Sequence, residues 1–271
     1  MQKTLIGHFY NEEFLLPFWI KHHYGMFDHG VLINHSSTDN SVALIRELAP
    51  DWEIIDSKLK NFDPIMTDFE VQKIEEAIPG WKICLNISEF LVGNLEKVLK
   101  ECGESGVEAI STTGVVMVDL YPDRPINNLD SLITQKPWGI IESRLYDLLA
   151  RHGKAKKVVK YLIGYQFPFQ HRSRLLHKKT IGAYLVGRHA WQQVDQKSSE
   201  LYTLWFGYSP WCREFIDRKL SFASKLPPGN DGLGMHHRFD EKLLNKIFNL
   251  HKVISKLFGS NFRPINDAAT K

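Results

Sequence analysis

A chain of 271 residues, 43% apolar and 12% aromatic, can bury the core of one large α/β domain, which excludes a disordered chain. No apolar run is long enough to cross a bilayer, since the longest near the N-terminus, residues 14–20, contains Pro17. The net charge of +3 hides an asymmetry: residues 1–150 hold 12 Lys and Arg against 23 Asp and Glu, and residues 151–271 hold 22 against 8.

The first half alternates. KTLIGHFY (3–10) reads as a buried strand, and EEFLLPFWIKHHYGM (12–26) as a helix. HGVLINH (29–35) is the next strand, SSTDNS (36–41) a polar turn and VALIRELA (42–49) a helix. WEIID (52–56) is a third strand, FEVQKIEEA (69–77) a helix and WKICL (81–85) a fourth strand. Strand and helix in alternation at this spacing predict a parallel sheet with helices on both faces. Ligands of such sheets bind at the carboxyl ends of the strands. Three polar clusters fall there: Asn11-Glu12-Glu13, Asn34 to Asp39, and Asn86 to Glu89.

The second half is less regular. VEAISTTGVVMVD (107–119) suggests paired strands, and PWGIIESRLYDLLARHG (137–153) a helix closed by Gly153. Residues 156–165, 180–189 and 201–208 are β-rich. SPWCREFIDRKLSFASKL (209–226) reads as a helix with Ser209 as N-cap and Pro210 in its first turn. Its aromatic neighbours Trp205, Phe206, Tyr208 and Trp211 suit either a core or a sugar-stacking surface. EKLLNKIFNLHKVISKLF (241–258) is an amphipathic helix, with Leu243, Leu244, Ile247, Leu250, Ile254, Leu257 and Phe258 on one stripe. Residues 236–263 carry six Lys and Arg against two acids, so this helix either packs on the domain or lies on a membrane surface. The expected division is a domain over 1–235 and a helical extension over 236–271.

The cysteines, Cys84, Cys102 and Cys212, are an odd number without a close pairing motif, which fits a reducing, cytoplasmic compartment. The N-terminus lacks the ordered parts of a signal peptide. Residues 151–179 carry nine Lys and Arg, three His and no acid. That block either attracts the acidic half or faces an anion, such as a diphosphate, lipid head groups or nucleic acid. No recognised nucleic-acid module is present, so no nucleic-acid partner is expected.

HFYNEEFLLPFWIKHHYGMFDHGVLINHSSTDNS (8–41) and GWKICLNISEFLVG (80–93) together resemble the family-2-like glycosyltransferases of the GT-A fold. LWFGYSPWCREFIDRK (204–219) and GMHH (234–237) extend the resemblance more loosely. It implies a GT-A-like, Rossmann-type mixed sheet flanked by helices. It also implies transfer of a sugar from a UDP- or GDP-sugar to a hydroxyl of a glycan or lipid-linked acceptor, in cell-surface polysaccharide synthesis. In the family an Asp before the Ser-Thr-Asp turn holds the base or ribose; Asn34 stands there. An Asp-x-Asp pair holds Mg²⁺ or Mn²⁺ on the donor diphosphate; Asn86 and Ser88 stand there. Asp39 and Glu89 are kept.

The resulting expectations are specific. Asn11, Glu12, Asn34, Ser36 and Asp39 hold the nucleotide. Asn86 and Ser88 face the diphosphate, with Arg172, Arg174, His177 and Lys178 as cations. Ser88, Glu89 and a late histidine, His237 or His236, are the ligands of a weakly held metal. Glu89 is the general base, with Asp231 as its rival. The alternatives are a non-catalytic nucleotide-sugar or glycan binder, and an anionic-surface binder that meets a membrane through the basic half.

Overall fold

The structure is a computed structural model and describes residues 1–142, 172–178, 184, 187–189, 196–227, 238 and 240–262. Its strands are β1 Lys3–Phe9, β2 His29–Asn34, β3 Glu53–Asp56, β4 Trp81–Asn86, β5 Glu89–Val92, β6 Ala109–Val118, β7 Trp138–Ile141, β8 Leu175–His177, β9 Gln196–Tyr208 and β10 Ser260–Asn261. The helices are α1 Leu16–His23, α2 Ser41–Leu48, α3 Pro64–Ala77, α4 Leu95–Ser105, α5 Leu132–Gln135, α6 Arg213–Ser221 and α7 Glu241–Phe258, with a 3₁₀ turn at Phe222–Lys225.

One sheet runs β10-β7-β6-β8-β4-β1-β2-β3. β1 pairs parallel with β2 and β4, and β2 with β3. Beyond β4 the neighbours are antiparallel. β9 lies parallel to β6 and antiparallel to β5, which brings Glu89 opposite Trp205. This is the mixed sheet flanked by helices that the sequence implied.

Side-chain alternation sorts the two faces. Leu5, Phe9 and Leu32 join Leu16 and Trp19 of α1 and Ile45 of α2 in the main core. Ile6, Val31, Ile33 and Cys84 point the other way, onto Val71 of α3. The chain therefore winds outward from β1 through β3 on one face and returns on the other to β4. The crevice at the carboxyl ends of β1 and β4 is the point where the winding reverses, and such crevices bind ligands. Close packing at this seam uses Gly7, where a Cβ would stand 2.5 Å from Leu32 Cδ2 and 3.1 Å from the Trp19 ring.

Helix starts follow local chemistry. Asp63 caps α3, accepting from the Ile65 and Met66 N–H groups, with Pro64 at the first helical position. α1 starts at Leu16, later than expected, because residues 12–15 form a turn in which the Glu12 carbonyl accepts from Leu15 and Leu16. α6 starts at Arg213 with Cys212 at the N-cap position. Ser209 does not cap it; the Trp211 N–H instead donates to Asp119 Oδ2 (3.0 Å). Residues 138–141 form a strand rather than the expected helix, because they pair with β6. The rest of that expected helix, with Gly153, lies outside the described residues. Residues 109–118 are one strand instead of two. α7 buries Leu244, Ile247 and Phe248, while Val253, Leu257 and Phe258 of its last turns are exposed. Phe248 stacks on Trp211 at 4.0 Å between ring centres. Among the described residues no helix is long and apolar enough to cross a membrane.

Candidate active site

The loops after β1 and β2 are clipped together by the polar residues singled out in the sequence. Asn11, in the left-handed region at φ 49°, donates its N–H to Ser37 Oγ (3.1 Å) and accepts from the Thr38 N–H (2.8 Å). Asp39 accepts from the Glu13 N–H and the Ser41 N–H, both at 3.0 Å. The Glu12 N–H donates to Ser41 Oγ (2.9 Å), and Glu13 returns a carboxylate to the Asn40 N–H (2.9 Å). Asn34 accepts from the Ser37 N–H (2.9 Å) and donates to Asp56 (3.0 Å). Asn11, Asn34 and Asp39 thus shape the rim by holding backbone. Ser36, exposed at φ 57°, turns the chain at its outer edge. Asp39→Ala removes the acceptor of two backbone N–H groups, one of them at the start of α2. It should lower stability by about 1–2 kcal/mol in urea denaturation.

Asn86, Ser88 and Glu89 sit at the crevice, with Asn86 in register beside His8 of β1. Glu89 is fully buried. Its two oxygens accept from Arg174 Nε (2.7 Å) and Nη2 (2.6 Å), and Oε2 also accepts from the Asn86 N–H (2.8 Å). Arg174, itself 1% exposed, gives its remaining Nη1 to the Gly187 carbonyl (2.6 Å). Next to this pair Arg188 donates to Asp68 Oδ1 (2.6 Å) and to Asn86 Oδ1 (3.2 Å). Burial raises the Asp68 carboxyl against the pull of Arg188.

These bonds bear on three expectations. Glu89 is not poised as a base, because three donors occupy its carboxylate. Arg174 is not a free cation for a diphosphate, because Glu89 and Gly187 engage it. Of the expected metal ligands Ser88, Glu89 and His237, Glu89 has its carboxylate engaged by Arg174 and the Asn86 N–H. The one oxygen that Asn86 offers already faces a guanidinium at hydrogen-bond distance, and two unit charges about 4 Å apart repel by about 4 kcal/mol at an effective dielectric constant near 20. The described residues include no group of three or more His, Cys, Asp and Glu able to hold a metal ion. Among the described residues, this set of side chains does not fit Mg²⁺ or Mn²⁺. His236, His237 and Asp231 lie outside the described residues.

A second group of cations stands on the β9 side of the crevice. The Arg172 guanidinium lies 3.4 Å from the centre of the Trp205 ring, and burial pushes it down to about 10. Lys219 of α6 points its ammonium at Trp205 (5.5 Å), Tyr208 (5.3 Å) and Phe215 (5.6 Å). Burial, with Arg218 and Arg172 nearby and only Glu12 opposing, lowers Lys219 to about 7. Arg218 pairs with Glu12 (2.5 Å), so Glu12 joins α6 to the β1 loop rather than standing free for a nucleotide. His251 packs edge-on against Tyr208 at 4.1 Å, and burial and the same cations lower it to about 3. His177 and Lys178 are elsewhere: His177 is buried beside Glu75, and Lys178 pairs with Glu108.

Of the aromatic cluster, Phe206, Tyr208 and Trp211 are core, and Trp205 is the half-buried member that carries Arg172. Asp68, Arg188 and Lys219 were not singled out in the sequence. Lys219 alone had a usable signal, a cation one helical turn from Phe215 in a segment led by aromatic residues.

No protein-family model matches the chain, and no curated protein does. Among solved structures it is similar to glucosyl-3-phosphoglycerate synthase from Mycobacterium tuberculosis in complex with Mn²⁺, UDP and glucosyl-3-phosphoglycerate. There the TM-score is 0.32 at 11% identity, over 42% of this chain and 44% of that one. It is also similar to S. aureus TarS 1-349 in complex with UDP-GlcNAc, with a TM-score of 0.40 at 11% identity, over 95% of this chain and 74% of that one. The chain thus spans less than half the length of the mycobacterial enzyme that it matches.

Proposed function

We propose that this chain is a GT-A-type glycosyltransferase that moves a sugar from a nucleotide-sugar donor to a hydroxyl of a glycan or lipid-linked acceptor, in cell-surface polysaccharide synthesis. One observation carries the reading. Three polar motifs that are distant in sequence meet at the crevice where the sheet reverses its winding, and they are the motifs on which the sequence resemblance rests. The rim formed by Asn11, Ser36 to Asp39 and Asn34 borders the nucleotide, and the Asn86–Ser88 turn borders the sugar and diphosphate.

In the transfer the acceptor oxygen bonds to the anomeric carbon. The bond from that carbon to the diphosphate oxygen breaks, and the diphosphate leaves with the electron pair. The hydroxyl proton passes to a general base. Of the two acids considered, Glu89 is bound to Arg174, so the role is assigned to Asp231, and Glu89 becomes a positioning residue that fixes the Asn86 turn.

The test is a panel of UDP- and GDP-sugars incubated with the full chain, with released nucleoside diphosphate measured with and without acceptor glycans. Acceptor-dependent release by the parent chain, with at least a hundredfold loss in Asp231→Asn, is the expected result. Donor binding with no release from any donor would favour a non-catalytic nucleotide-sugar binder, a reading that the locked state of Glu89 also suits.

A further inference from the structure

We infer that the phosphate-bearing end of the ligand is held by Arg172 and Lys219, gathered on Trp205, in place of a divalent metal ion. The inference rests on the donor reading above and concerns how its diphosphate is bound.

Position is the first argument. Trp205 stands opposite Glu89 in the β5–β9 register, and the neighbouring Phe206 N–H donates to the Ser88 carbonyl (2.7 Å). The two cations on Trp205 therefore flank the turn that would have to carry metal ligands. That turn does not fit a metal, for the reasons of charge and engagement given above.

Charge is the second argument. Arg188 is bound to Asp68, Arg174 to Glu89 and Arg218 to Glu12. Among the described residues Arg172 and Lys219 have no such carboxylate partner. Glu142 lies near Arg172, but its carboxylate accepts from the Arg172 backbone N–H. A guanidinium offers five N–H donors and an ammonium three. Burial outweighs the nearby carboxylates, Glu89 and Glu142 at Arg172 and Glu12 at Lys219, so both cations raise the energy of the empty site. A ligand with at least two negative oxygens relieves that cost. The pair also supplies two positive charges, the same number as a divalent ion.

The chemistry agrees with the placement. Negative charge grows on the diphosphate as its bond to the sugar breaks, and cations fixed in advance stabilise such charge without reorganising. The planar guanidinium, oriented by its ring stack, can give two parallel N–H bonds, while the ammonium acts as a point charge.

The experiment titrates inorganic pyrophosphate into the full chain by calorimetry at pH 6.5, once in EDTA and once in millimolar Mg²⁺. Binding in EDTA, no tighter in Mg²⁺, is the expected result. Arg172→Gln and Lys219→Met should each weaken it at least tenfold, which is about 1.4 kcal/mol. Arg172→Lys and Lys219→Arg keep the charges and should each weaken it less than the neutral variant at the same position, with Arg172→Lys losing the part that the stacked, bidentate guanidinium supplies. Circular dichroism and thermal melts establish that each variant is folded, and the comparison of EDTA with Mg²⁺ needs no variant. Absence of binding in EDTA with recovery in Mg²⁺ overturns the inference, as does binding in EDTA that folded Arg172→Gln and Lys219→Met both leave unchanged. The two readings fail separately. Pyrophosphate binding in EDTA without turnover of any nucleotide sugar removes the transferase and keeps the anion site. Turnover that requires Mg²⁺, with no pyrophosphate binding in EDTA, does the reverse.

Discussion

Arg174→Met should destabilise the chain by about 3–5 kcal/mol in urea denaturation, the usual result of removing one member of a buried ion pair. Glu89 is fully buried and Arg174 is 1% exposed, so water cannot replace the lost guanidinium. The variant leaves the carboxylate with one donor, the Asn86 N–H. It also strands the Gly187 carbonyl, which accepts from Arg174. Replacing both charges should cost less than the two single changes added together, because no unpaired ion remains. A double-mutant cycle should give a coupling of about 2 kcal/mol or more. The same pair decides the role of Glu89 in the proposed transfer. A positioning carboxylate predicts that Glu89→Gln, assayed well below its melting midpoint, keeps the acid limb of the pH–rate profile while losing turnover. Disappearance of that limb would return Glu89 to the role of base.

The parts legible in the sequence were those with a local signature. The first four strands and their helices were readable because apolar alternation and helical spacing repeat within a few residues, and the strand ends therefore came out to within about one residue. β7 was misread because WGII is too short to distinguish strand from helix by pattern, and its pairing with β6 settles the matter. Three apolar residues and a glycine carry no period of their own. β5 and α4 were not singled out, although Asn94 caps α4 by accepting from the Lys97 N–H (3.0 Å) and Gly106 ends it at φ 70°. The candidate site residues were legible as positions but not as partners. Glu89 meets Arg174 across 85 residues, and Asp68 meets Arg188 across 120. No local pattern announces such pairs, so a carboxylate at a strand end looks the same whether it faces substrate or a buried arginine. The basic run at 151–179 showed a surplus of cations. It could not show that Arg174 is neutralised while Arg172 lies on an aromatic ring.

Lys219→Met should raise stability at pH 6 and raise it less at pH 10. Lys219 has a folded-state value near 7 against an ordinary 10.5, because burial and the neighbours Arg218 and Arg172 disfavour its charge and only Glu12 opposes them. Below pH 7 it is charged in both the folded and unfolded chain, and the full cost of holding the ion among Trp205, Tyr208 and Phe215 is present. Between pH 7 and 10.5 the folded chain has lost the proton and the unfolded chain keeps it. The unfolded state then binds more protons, so the stability of the parent chain rises with pH across that window. Methionine removes the ion and keeps the apolar stem, and exchanges of buried ions for apolar side chains stabilise by up to about 1–4 kcal/mol. At this chain size each kcal/mol shifts the melting midpoint by about 2–4 °C. Melting curves of parent and variant from pH 6 to pH 10 should therefore converge as pH rises. Curves that stay parallel would mean that Lys219 is not a strained cation in the folded chain. Convergence joined to weaker pyrophosphate binding would show one ammonium destabilising the empty site and serving the occupied one, a combination that a lysine packed only for structure would not produce.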